Sequence, residues 1–339
     1  MILIDATYIH SFGGKTILDL IIGSFLDSNI EFHAILDNRL DSKWVNKIQP
    51  GNYTLISTSH KNRTNFYSQN LIKFSSVLCL ANIPPPIYTS VKTFIFFQNC
   101  LLLNPFKQKV SIKNRLINFL KFLYINYHNQ KDYHWVVQTQ LVKKLIKENL
   151  NINSAQISTY PVFKKVFKAN LNKKNFNEFV YVSSSVSHKN HKRLIKAFIE
   201  AAKNTDKEIK LHLTLYKEDL PKMVFPQNLK VVFHGTLSMD NVSELYNSCE
   251  FAIYPSLVES FGLPLIEASN YNCKVIASNL PYVHEIVEPS LTFDPYSVKS
   301  ISKSILIAIE AKNLPETKVL VENKLDNFID FIISQDVQK

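Results

Sequence analysis

The chain has 339 residues, of which 46% are apolar and only 6 are glycine. This length suffices for one large domain or two of ordinary size, and the composition excludes a glycine-rich, low-complexity or generally disordered chain. Lysine and arginine number 39 against 28 acidic residues, a formal net charge of +11.

In the first half, short apolar runs alternate with segments of helical period. The opening residues MILIDATYIH predict a strand rather than a signal peptide. Four scattered cysteines without a CxxC pair exclude a zinc framework and a disulfide scaffold, and they fit a reducing compartment. The predicted strands of this half are 2–7, 31–36, 53–57, 77–80, 94–97, 135–137 and 156–159, and the predicted helices lie near 15–26, 65–74, 111–127 and 141–149.

The same alternation occurs again in the second half. Its predicted strands are 179–183, 210–215, 231–234, 251–254 and 274–277, and its predicted helices lie near 191–203, 240–247, 265–271 and 298–311. Two successive α/β alternations predict two Rossmann-like domains with parallel sheets around a cleft. We expect domains at 1–162 and 163–315, a polar linker over 163–177, and a C-terminal helix over about 316–339 that packs back on the first domain.

The positive charge belongs to one half of the chain. Residues 1–165 contain 19 lysines and arginines against 8 acidic residues, whereas residues 166–339 contain 20 of each. Within the basic half, residues 106–127 have five cations and no acid. The cations singled out as membrane-facing are Lys109, Lys113, Arg115 and Lys121.

Three interpretations of residues 106–127 stay open. The apolar positions of the predicted helix, at Ile112, Leu116, Phe119, Leu120 and Leu123, would form ordinary core, with the lysines in water. Alternatively, basic and aromatic residues would meet an anionic membrane or a phosphorylated lipid. A phosphate backbone of nucleic acid would attract the same charges.

The most informative segment is ESFGLPLIE, residues 259–267, which follows a predicted strand. Gly262 permits a tight backbone approach, and Pro264 suits the first position of a helix. The free amides around Phe261, Gly262 and Leu263 would form an anion site at the carboxyl end of the strands. Glu259 precedes the helix and Glu267 lies one turn inside it, so we expect them to hold different parts of one elongated ligand.

A second anion site is predicted between residues 183 and 193. A strand there runs into a serine-rich loop that contains Ser184 and Ser185, and a helix opens near Lys189. Hydroxyl groups, helix-opening amides and one ammonium group would suit a diphosphate. Taken alone, the pattern is also typical of an ordinary helix cap.

The span from 179 to 311 resembles the retaining nucleotide-sugar glycosyltransferases of family 4, which have the GT-B fold and of which many build bacterial surface polysaccharide. Glu259 and Glu267 match the pair of glutamates that this family separates by seven residues. The match continues in order and spacing through the segments at 275–278, 280–285 and 293–295. Upstream, residues 233–235 and 183–190 fall where the family has its loops around the nucleotide.

The resemblance implies a role for each matched residue. Lys189 would neutralise the donor diphosphate and Glu259 would contact the transferred sugar, which makes these two the expected catalytic residues. Glu267 would hold the ribose hydroxyls. The donor-binding set implied by the match consists of Gly13, Gly14, Ser184, Ser185, His234, Phe261, Gly262, Leu263 and Glu267. The resemblance also implies that the sugar keeps its anomeric configuration, and that neither a metal nor another cofactor is needed.

The chain departs from the family pattern in two places. Ser184 stands where the family usually has an arginine, so a clamp of two cations is reduced to one unless His188, Lys192 or Arg193 compensates. Asn272 stands where a glycine usually ends the helix, and asparagine is the next-best residue for a left-handed cap. Gln98 and Asn99 end a strand near the place where many relatives carry a histidine facing the sugar. Either residue would line the acceptor side, and a core or turn role is the alternative.

The sequence therefore predicts a glycosyltransferase that moves a sugar from a nucleotide-sugar donor to a saccharide acceptor, with a lipid-linked glycan as the expected acceptor. We expect a cytoplasmic protein, with the inner face of the plasma membrane as an additional surface and no nucleic acid as partner. A nucleotide-sugar epimerase or hydrolase of the same fold and a non-catalytic basic binding protein stay open as alternatives. An NAD dehydrogenase is excluded, because no G-x-G-x-x-G follows any predicted strand.

Overall fold

A computed structural model describes residues 1–10, 12–41, 45–103, 112–164, 174–311 and 313–336. The chain divides into two compact units. Unit 1 consists of Met1–Lys165 and Glu322–Lys339, and unit 2 consists of Val166–Val321. Most of the predicted linker at 163–177 lies outside the described residues.

Unit 1 is built on a parallel sheet of seven strands. The strands are β1 (Ile2–Ala6), β2 (Phe32–Asp37), β3 (Tyr53–Ile56), β4 (Ser76–Cys79), β5 (Lys92–Phe96), β6 (His134–Val137) and β7 (Ile157–Thr159). Their order in the sheet is β3-β2-β1-β4-β5-β6-β7. Its helices are α1 (Phe12–Asp27), α2 (His60–Asn70), α3 (Ile112–His128) and α4 (Gln140–Leu150), and a C-terminal helix described below completes the unit.

The strands of unit 1 are continuous apolar runs because helices cover both faces of a parallel sheet. All five residues of β1 are buried, and so are all four of β4. Hydroxyl side chains accept hydrogen bonds from the first-turn amides of two helices, Ser59 at α2 and Thr139 at α4.

The C-terminal helix is shorter than the sequence predicts. It extends over Leu325–Asp336 (α10) rather than over 316–339, whose last three residues lie outside the described ones. The residues before it include the two-residue strand β15 (Lys318–Val319), which pairs with β13 (Val287–Glu288) in unit 2. The helix packs within unit 1, where Phe328 is fully buried and its ring lies 5.3 Å from that of Phe96.

Unit 2 repeats the architecture with a parallel sheet of six strands. These are β8 (Asn175–Tyr181), β9 (Ile209–Leu213), β10 (Leu229–Phe233), β11 (Cys249–Tyr254), β12 (Lys274–Ser278) and β14 (Leu291–Phe293), in the order β10-β9-β8-β11-β12-β14. Its helices are α5 (His191–Ala202), α6 (Met239–Ser248), α7 (Leu263–Asn270), α8 (Pro281–Ile286) and α9 (Val298–Glu310). The predicted fold class, with two α/β units and parallel sheets, is confirmed. Asn272 adopts the left-handed conformation expected after α7, with φ of 56°.

Helix α3 contradicts the interpretation of its apolar face as ordinary core. Ile112 is 84% exposed and Tyr127 is 86% exposed. Leu116, Leu120 and Leu123 between them are also exposed, at a spacing that keeps all five on one side of the helix. The helix is held to unit 1 by other positions, including the fully buried Ile125. None of the described helices is long and apolar enough to cross a membrane.

Candidate active site

The candidate site lies where the strand order of unit 2 changes direction. From the central pair β8 and β11, the chain adds β9 and β10 on one side and β12 and β14 on the other. In open α/β sheets, ligands bind outside the carboxyl ends of strands at such a switch point. The loops that follow β8 and β11 meet there, and they contain both segments that the sequence singles out.

The loop after β11 ends in a glycine that starts helix α7. Gly262 has φ of 89° and ψ of 50°, a left-handed conformation that side chains other than glycine rarely adopt. A Cβ atom there would lie 3.2 Å from Leu265 Cδ1, so the loop is also closely packed. Pro264 occupies the first turn, and no acidic side chain occupies that turn. The amide end of α7 is therefore free of a competing carboxylate within its first turn.

The loop after β8 is held against the loop after β11 by hydrogen bonds. Asn190, in a left-handed conformation with φ of 63°, donates from Nδ2 to Pro255 O at 3.1 Å and to Pro295 O at 2.8 Å. Leu257 N donates to His188 O at 2.8 Å. The Tyr181 hydroxyl donates to Lys189 O at 2.9 Å. These contacts fix the backbone on which Lys189 stands.

Lys189 and Glu259 form an ion pair between the two loops. Lys189 Nζ lies 2.6 Å from Glu259 Oε1, and the side chains are only 14% and 12% exposed. The ammonium group also lies 5.7 Å from the ring centroid of Tyr254, within the range of a cation–π contact. The structure thus brings together the two residues that the sequence predicts as catalytic.

Glu267 stands on α7 with a perturbed carboxyl group. Burial raises its pKa to about 7. A carboxyl group with a pKa near 7 changes charge under physiological conditions. Ligand hydroxyl groups that donate hydrogen bonds to it stabilise its charged form. This property fits a residue that holds neutral hydroxyls better than one that binds a cation.

The serine-rich loop after β8 contacts a histidine that the sequence patterns did not single out. His191, the first residue of α5, is 4% exposed, and its Nε2 donates to Ser184 O at 3.0 Å and lies 3.1 Å from Ser183 Oγ. Burial lowers the pKa of His191 to about 4, so the ring is neutral at pH 7. Ser184 is half-buried and Ser185 is exposed. The neutral ring fixes the backbone at Ser184 without adding the missing cation.

Two basic residues near Lys189 in the chain, Arg193 and His188, contribute differently to this site. Arg193 donates from Nη1 to Asn190 Oδ1, so it supports the loop. His188 lies near Glu259, whose charge favours the imidazolium, but burial outweighs this effect and lowers the pKa of His188. Among the described residues, Lys189 is therefore the cation that forms an ion pair with Glu259.

His234 belongs to a separate chain of polar groups. Its Nε2 lies 2.9 Å from His212 Nδ1, and His212 Nε2 lies 3.1 Å from Glu178 Oε2. Lys210 Nζ donates to Glu178 Oε1 at 2.9 Å. Burial alone would raise the pKa of Glu178, but the bonds from Lys210 and His212 outweigh it and lower that pKa. Cross-strand pairing creates this chain, so single-strand patterns gave no signal for it.

The same region contains the group of metal-type ligands found among the described residues. Ligand atoms of Glu178, His212 and Cys249 lie within 4.8 Å of one another. Burial raises the pKa of Cys249 to about 12, which keeps the thiol protonated, and the ammonium group of Lys210 already pairs with Glu178. The group therefore fits an internal hydrogen-bond network better than a metal centre.

The candidate residues of unit 1 lie near the carboxyl ends of its strands. Gly13 and Gly14 form part of the first turn of α1, so the loop before that helix is shorter than the sequence predicts. Gln98 donates from Nε2 to Leu80 O at 3.2 Å. Asn99 accepts from Leu101 N at 3.1 Å and caps a short turn. Both amide side chains thus have structural partners, and their role toward an acceptor stays a prediction.

Of the predicted membrane-facing cations, the structure describes three. Lys113 and Lys121 are exposed on α3, and Arg115 is half-buried on the same helix. Lys109 lies outside the described residues.

Comparison with known proteins connects this geometry to a family. Residues 162–324, a range that nearly coincides with unit 2, match the family model described as glycosyl transferases group 1. Unit 2 belongs to the glycosyl transferases of group 1. The loop after β8, the Lys189–Glu259 pair and helix α7 all lie within the matched residues.

Two curated relatives transfer mannose into O-antigen chains according to their names. The chain is 32% identical over 181 residues to the O-antigen chain mannosyltransferase RfbU of Salmonella typhimurium, which covers 51% of this chain and 50% of that protein. It is 26% identical over 138 residues to the O-antigen chain mannosyltransferase B of Escherichia coli, covering 39% and 36%. The match thus spans about half the length of the first relative and less of the second.

Solved structures extend the likeness of fold to the whole chain. A glycosyltransferase from Rickettsia africae superposes with a TM-score of 0.64 at 15% identity, covering 99% of this chain and 92% of that one. WaaG, a glycosyltransferase involved in lipopolysaccharide biosynthesis, gives a TM-score of 0.61 at 14% identity, covering 92% and 91%. The chain therefore has the GT-B fold, with a parallel sheet in each of its two units.

Proposed function

We propose that this protein is a glycosyltransferase that moves a sugar from a nucleotide-sugar donor to a saccharide acceptor. The observation that carries the proposal is the Lys189–Glu259 ion pair at the switch point of unit 2, beside the amide end of α7. A cation and free amides near a carboxylate suit a ligand with a diphosphate at one end and hydroxyl groups at the other. A nucleotide sugar has this composition.

Each residue of the site has a task in the proposed reaction. Negative charge grows on the diphosphate as the bond to the sugar breaks, and Lys189 with the amides at Gly262 and Leu263 would stabilise it. Glu259 would then accept hydrogen bonds from the sugar, and Glu267 from the ribose hydroxyls. Ser184 replaces the arginine that the family usually has. Among the described residues, Lys189 would therefore supply most of the positive charge that stabilises the diphosphate.

The transfer is proposed to retain the anomeric configuration and to need no metal. Support comes from the two glutamates separated by seven residues and from the cation and amides at the diphosphate position, which can supply the positive potential that a metal supplies elsewhere. Retention is tested by the one-bond carbon–proton coupling constant at the anomeric carbon of the product. Full turnover in excess chelator is the result expected for metal independence, and loss of turnover that added Mg²⁺ or Mn²⁺ restores would contradict it.

The acceptor is proposed to be a growing surface glycan on a lipid carrier. The names of the relatives support an O-antigen-like chain, and mannose is the first sugar to test. Incubation with GDP-, UDP- and dTDP-sugars, each labelled in the sugar, tests this choice. The label is then counted in the glycan and in the free sugar released by hydrolysis. Incorporation into glycan supports a transferase, whereas label released only as free sugar indicates a hydrolase of the same fold.

We also propose that α3 of unit 1 contacts an anionic membrane surface. Its five exposed apolar residues share one side of the helix, two exposed lysines accompany them, and the helix contains no acidic residue. An apolar stripe with flanking lysines complements both parts of an anionic bilayer surface, the acyl boundary and the head groups. Such contact would bring unit 1 to a lipid-linked acceptor.

A further inference from the structure

A buried carboxylate in unit 1 holds an arginine at the carboxyl edge of the sheet. Asp37, the last residue of β2, is fully buried. Its two oxygens accept hydrogen bonds from Arg39, with Nε donating to Oδ1 at 2.9 Å and Nη2 donating to Oδ2 at 2.7 Å. Arg39 N also donates to Oδ1, at 3.0 Å. Two bonds to a single carboxylate therefore fix one side of the guanidinium plane, and a third fixes the backbone of the same residue.

The carboxylate that fixes Arg39 carries its charge in the folded protein. Burial alone would raise the pKa of Asp37, but the hydrogen bonds and charge of Arg39 outweigh burial and lower it. The charged form also lies 3.8 Å from His10 Nδ1, which belongs to the loop after β1. Asp37 thus holds groups from two neighbouring loops at one place.

Among the described residues, none accepts a hydrogen bond on the other side of the guanidinium group. Arg39 is 50% exposed, and a guanidinium has five N–H groups, of which Asp37 receives two. Within the described ranges, no other residue accepts from Nη1. A planar pair of N–H donors therefore faces outward from a fixed position, with His10, 39% exposed, beside it.

The composition of the chain makes an arginine at this position informative. Only four of its 39 cations are arginines, and Arg63 is one of them, fully buried against Asp5. Elsewhere, the chain uses lysine for exposed positive charge. Arginine differs from lysine by its planar fork, which binds both oxygens of a carboxylate or phosphate at once. An exposed arginine anchored on one side by a buried carboxylate is built to offer that fork.

We propose that Arg39, positioned by Asp37 and assisted by His10, binds an anionic group of the acceptor. This inference rests on the proposed function, and it adds that the acceptor carries a phosphate or carboxylate within reach of unit 1's carboxyl edge. Open α/β sheets bind ligands outside the carboxyl ends of their strands, and Arg39 follows the carboxyl end of β2, which neighbours β1 at the switch point between β1 and β4. The anion comes either from a diphosphate that joins the glycan to its lipid or from an acidic sugar.

Three synthetic acceptors with the same glycan distinguish these sources. One has a neutral alkyl aglycone, one has a diphosphate between the alkyl chain and the glycan, and one has a uronic acid in place of a neutral sugar. For Arg39→Gln, we expect KM for one of the anionic acceptors to rise about tenfold or more, as expected for loss of a charge-assisted bidentate contact. The values of kcat, donor KM and neutral-acceptor KM should stay unchanged.

Two further variants keep the test decisive. Arg39→Lys preserves the charge beside Asp37, so the fold is kept, and it should still lose most of the anionic preference because an ammonium group lacks the planar fork. Lys144→Gln, which removes an exposed charge from α4 of the same unit, should change nothing.

Failure of the inference and failure of the proposed function give different results. Calorimetric titration with the diphosphate acceptor, without donor, measures acceptor binding apart from turnover. If wild type transfers sugar and the Arg39 variants show unchanged KM for every acceptor, the inference is overturned and the function stands. If wild type transfers sugar to no acceptor, the proposed function itself fails.

Discussion

Lys189 and Glu259 neutralise each other across two loops, at 2.6 Å and with little exposure to solvent. The family resemblance implies that these residues contact different parts of the donor, Lys189 the diphosphate and Glu259 the sugar. An incoming diphosphate therefore competes with the Glu259 carboxylate for the same ammonium group. Donor binding would exchange one partner of Lys189 for another and release Glu259 to accept hydrogen bonds from the sugar.

This competition predicts opposite effects of two substitutions on nucleotide binding. Glu259→Gln should bind the nucleoside diphosphate severalfold more tightly than wild type, because Lys189 is no longer paired with a carboxylate. Lys189→Ala should bind it about tenfold or more weakly. Calorimetric titration with GDP, UDP and dTDP provides the measurement, and Glu310→Gln on α9 is the matched control. Weaker binding by Glu259→Gln than by wild type would show that the pair does not oppose the nucleotide.

The raised pKa of Glu267 predicts a pH dependence of donor binding. Because burial raises this pKa to about 7, the charged fraction of the carboxyl group grows between pH 6 and pH 8. The carboxylate is the form that accepts two hydroxyl hydrogen bonds, so donor KM should fall as pH rises through this window. In Glu267→Gln the slope should disappear while donor KM increases at pH 8. A slope that persists in Glu267→Gln would assign the titration to another group.

The exposed face of α3 predicts partition to anionic vesicles. Replacing Lys113 and Lys121 by glutamine should weaken binding to phosphatidylglycerol vesicles about thirtyfold, at about 1 kcal/mol for each lysine. Leu116→Ser with Leu120→Ser should also weaken binding, and to neutral vesicles as well. Ile72→Ser is the control, since Ile72 is 95% exposed elsewhere in unit 1. Equal flotation of all these proteins with the vesicles would show that α3 does not contact the membrane.

The serine in place of the usual arginine predicts a gain on substitution. Ser184→Arg should place a second cation in the loop after β8 and lower KM for the nucleotide sugar severalfold, because two cations share the diphosphate charge. Ser185→Arg, one residue further along the exposed loop, is the control. If Ser184→Arg binds the donor no better and remains folded by circular dichroism, the second cation has no place in this site.

The sheet strands were predictable because burial on both faces requires continuous apolar runs. All seven strands predicted in the first half are present within one or two residues at each end, from β1 at Ile2–Ala6 to β7 at Ile157–Thr159. The start of α7 was also predictable, because Gly262 and Pro264 each have a backbone requirement that fits one position.

The apolar side of α3 and the polar networks were not predictable to the same extent. A helical stripe of leucine and isoleucine indicates that something covers it, but the spacing does not say whether protein or lipid does so. The Glu178–His212–His234 chain depends on the register of β8, β9 and the end of β10. The contact between Arg39 and Asp37 could be predicted only if the burial of Asp37 were known. The residue pattern of one strand does not reveal that burial.

The most direct test of catalysis by Lys189 and Glu259 is mass spectrometry of acceptor glycans after reaction with wild type, Lys189→Ala and Glu259→Ala. Wild type should add the mass of one sugar to the acceptor glycan. Each variant should lose about 10²- to 10³-fold in rate, the usual effect of removing one preorganised group at such a site. Lys196→Ala, on the exposed side of α5, should react at the wild-type rate. Wild-type turnover by the folded Lys189→Ala and Glu259→Ala proteins would contradict the assignment of this ion pair to catalysis.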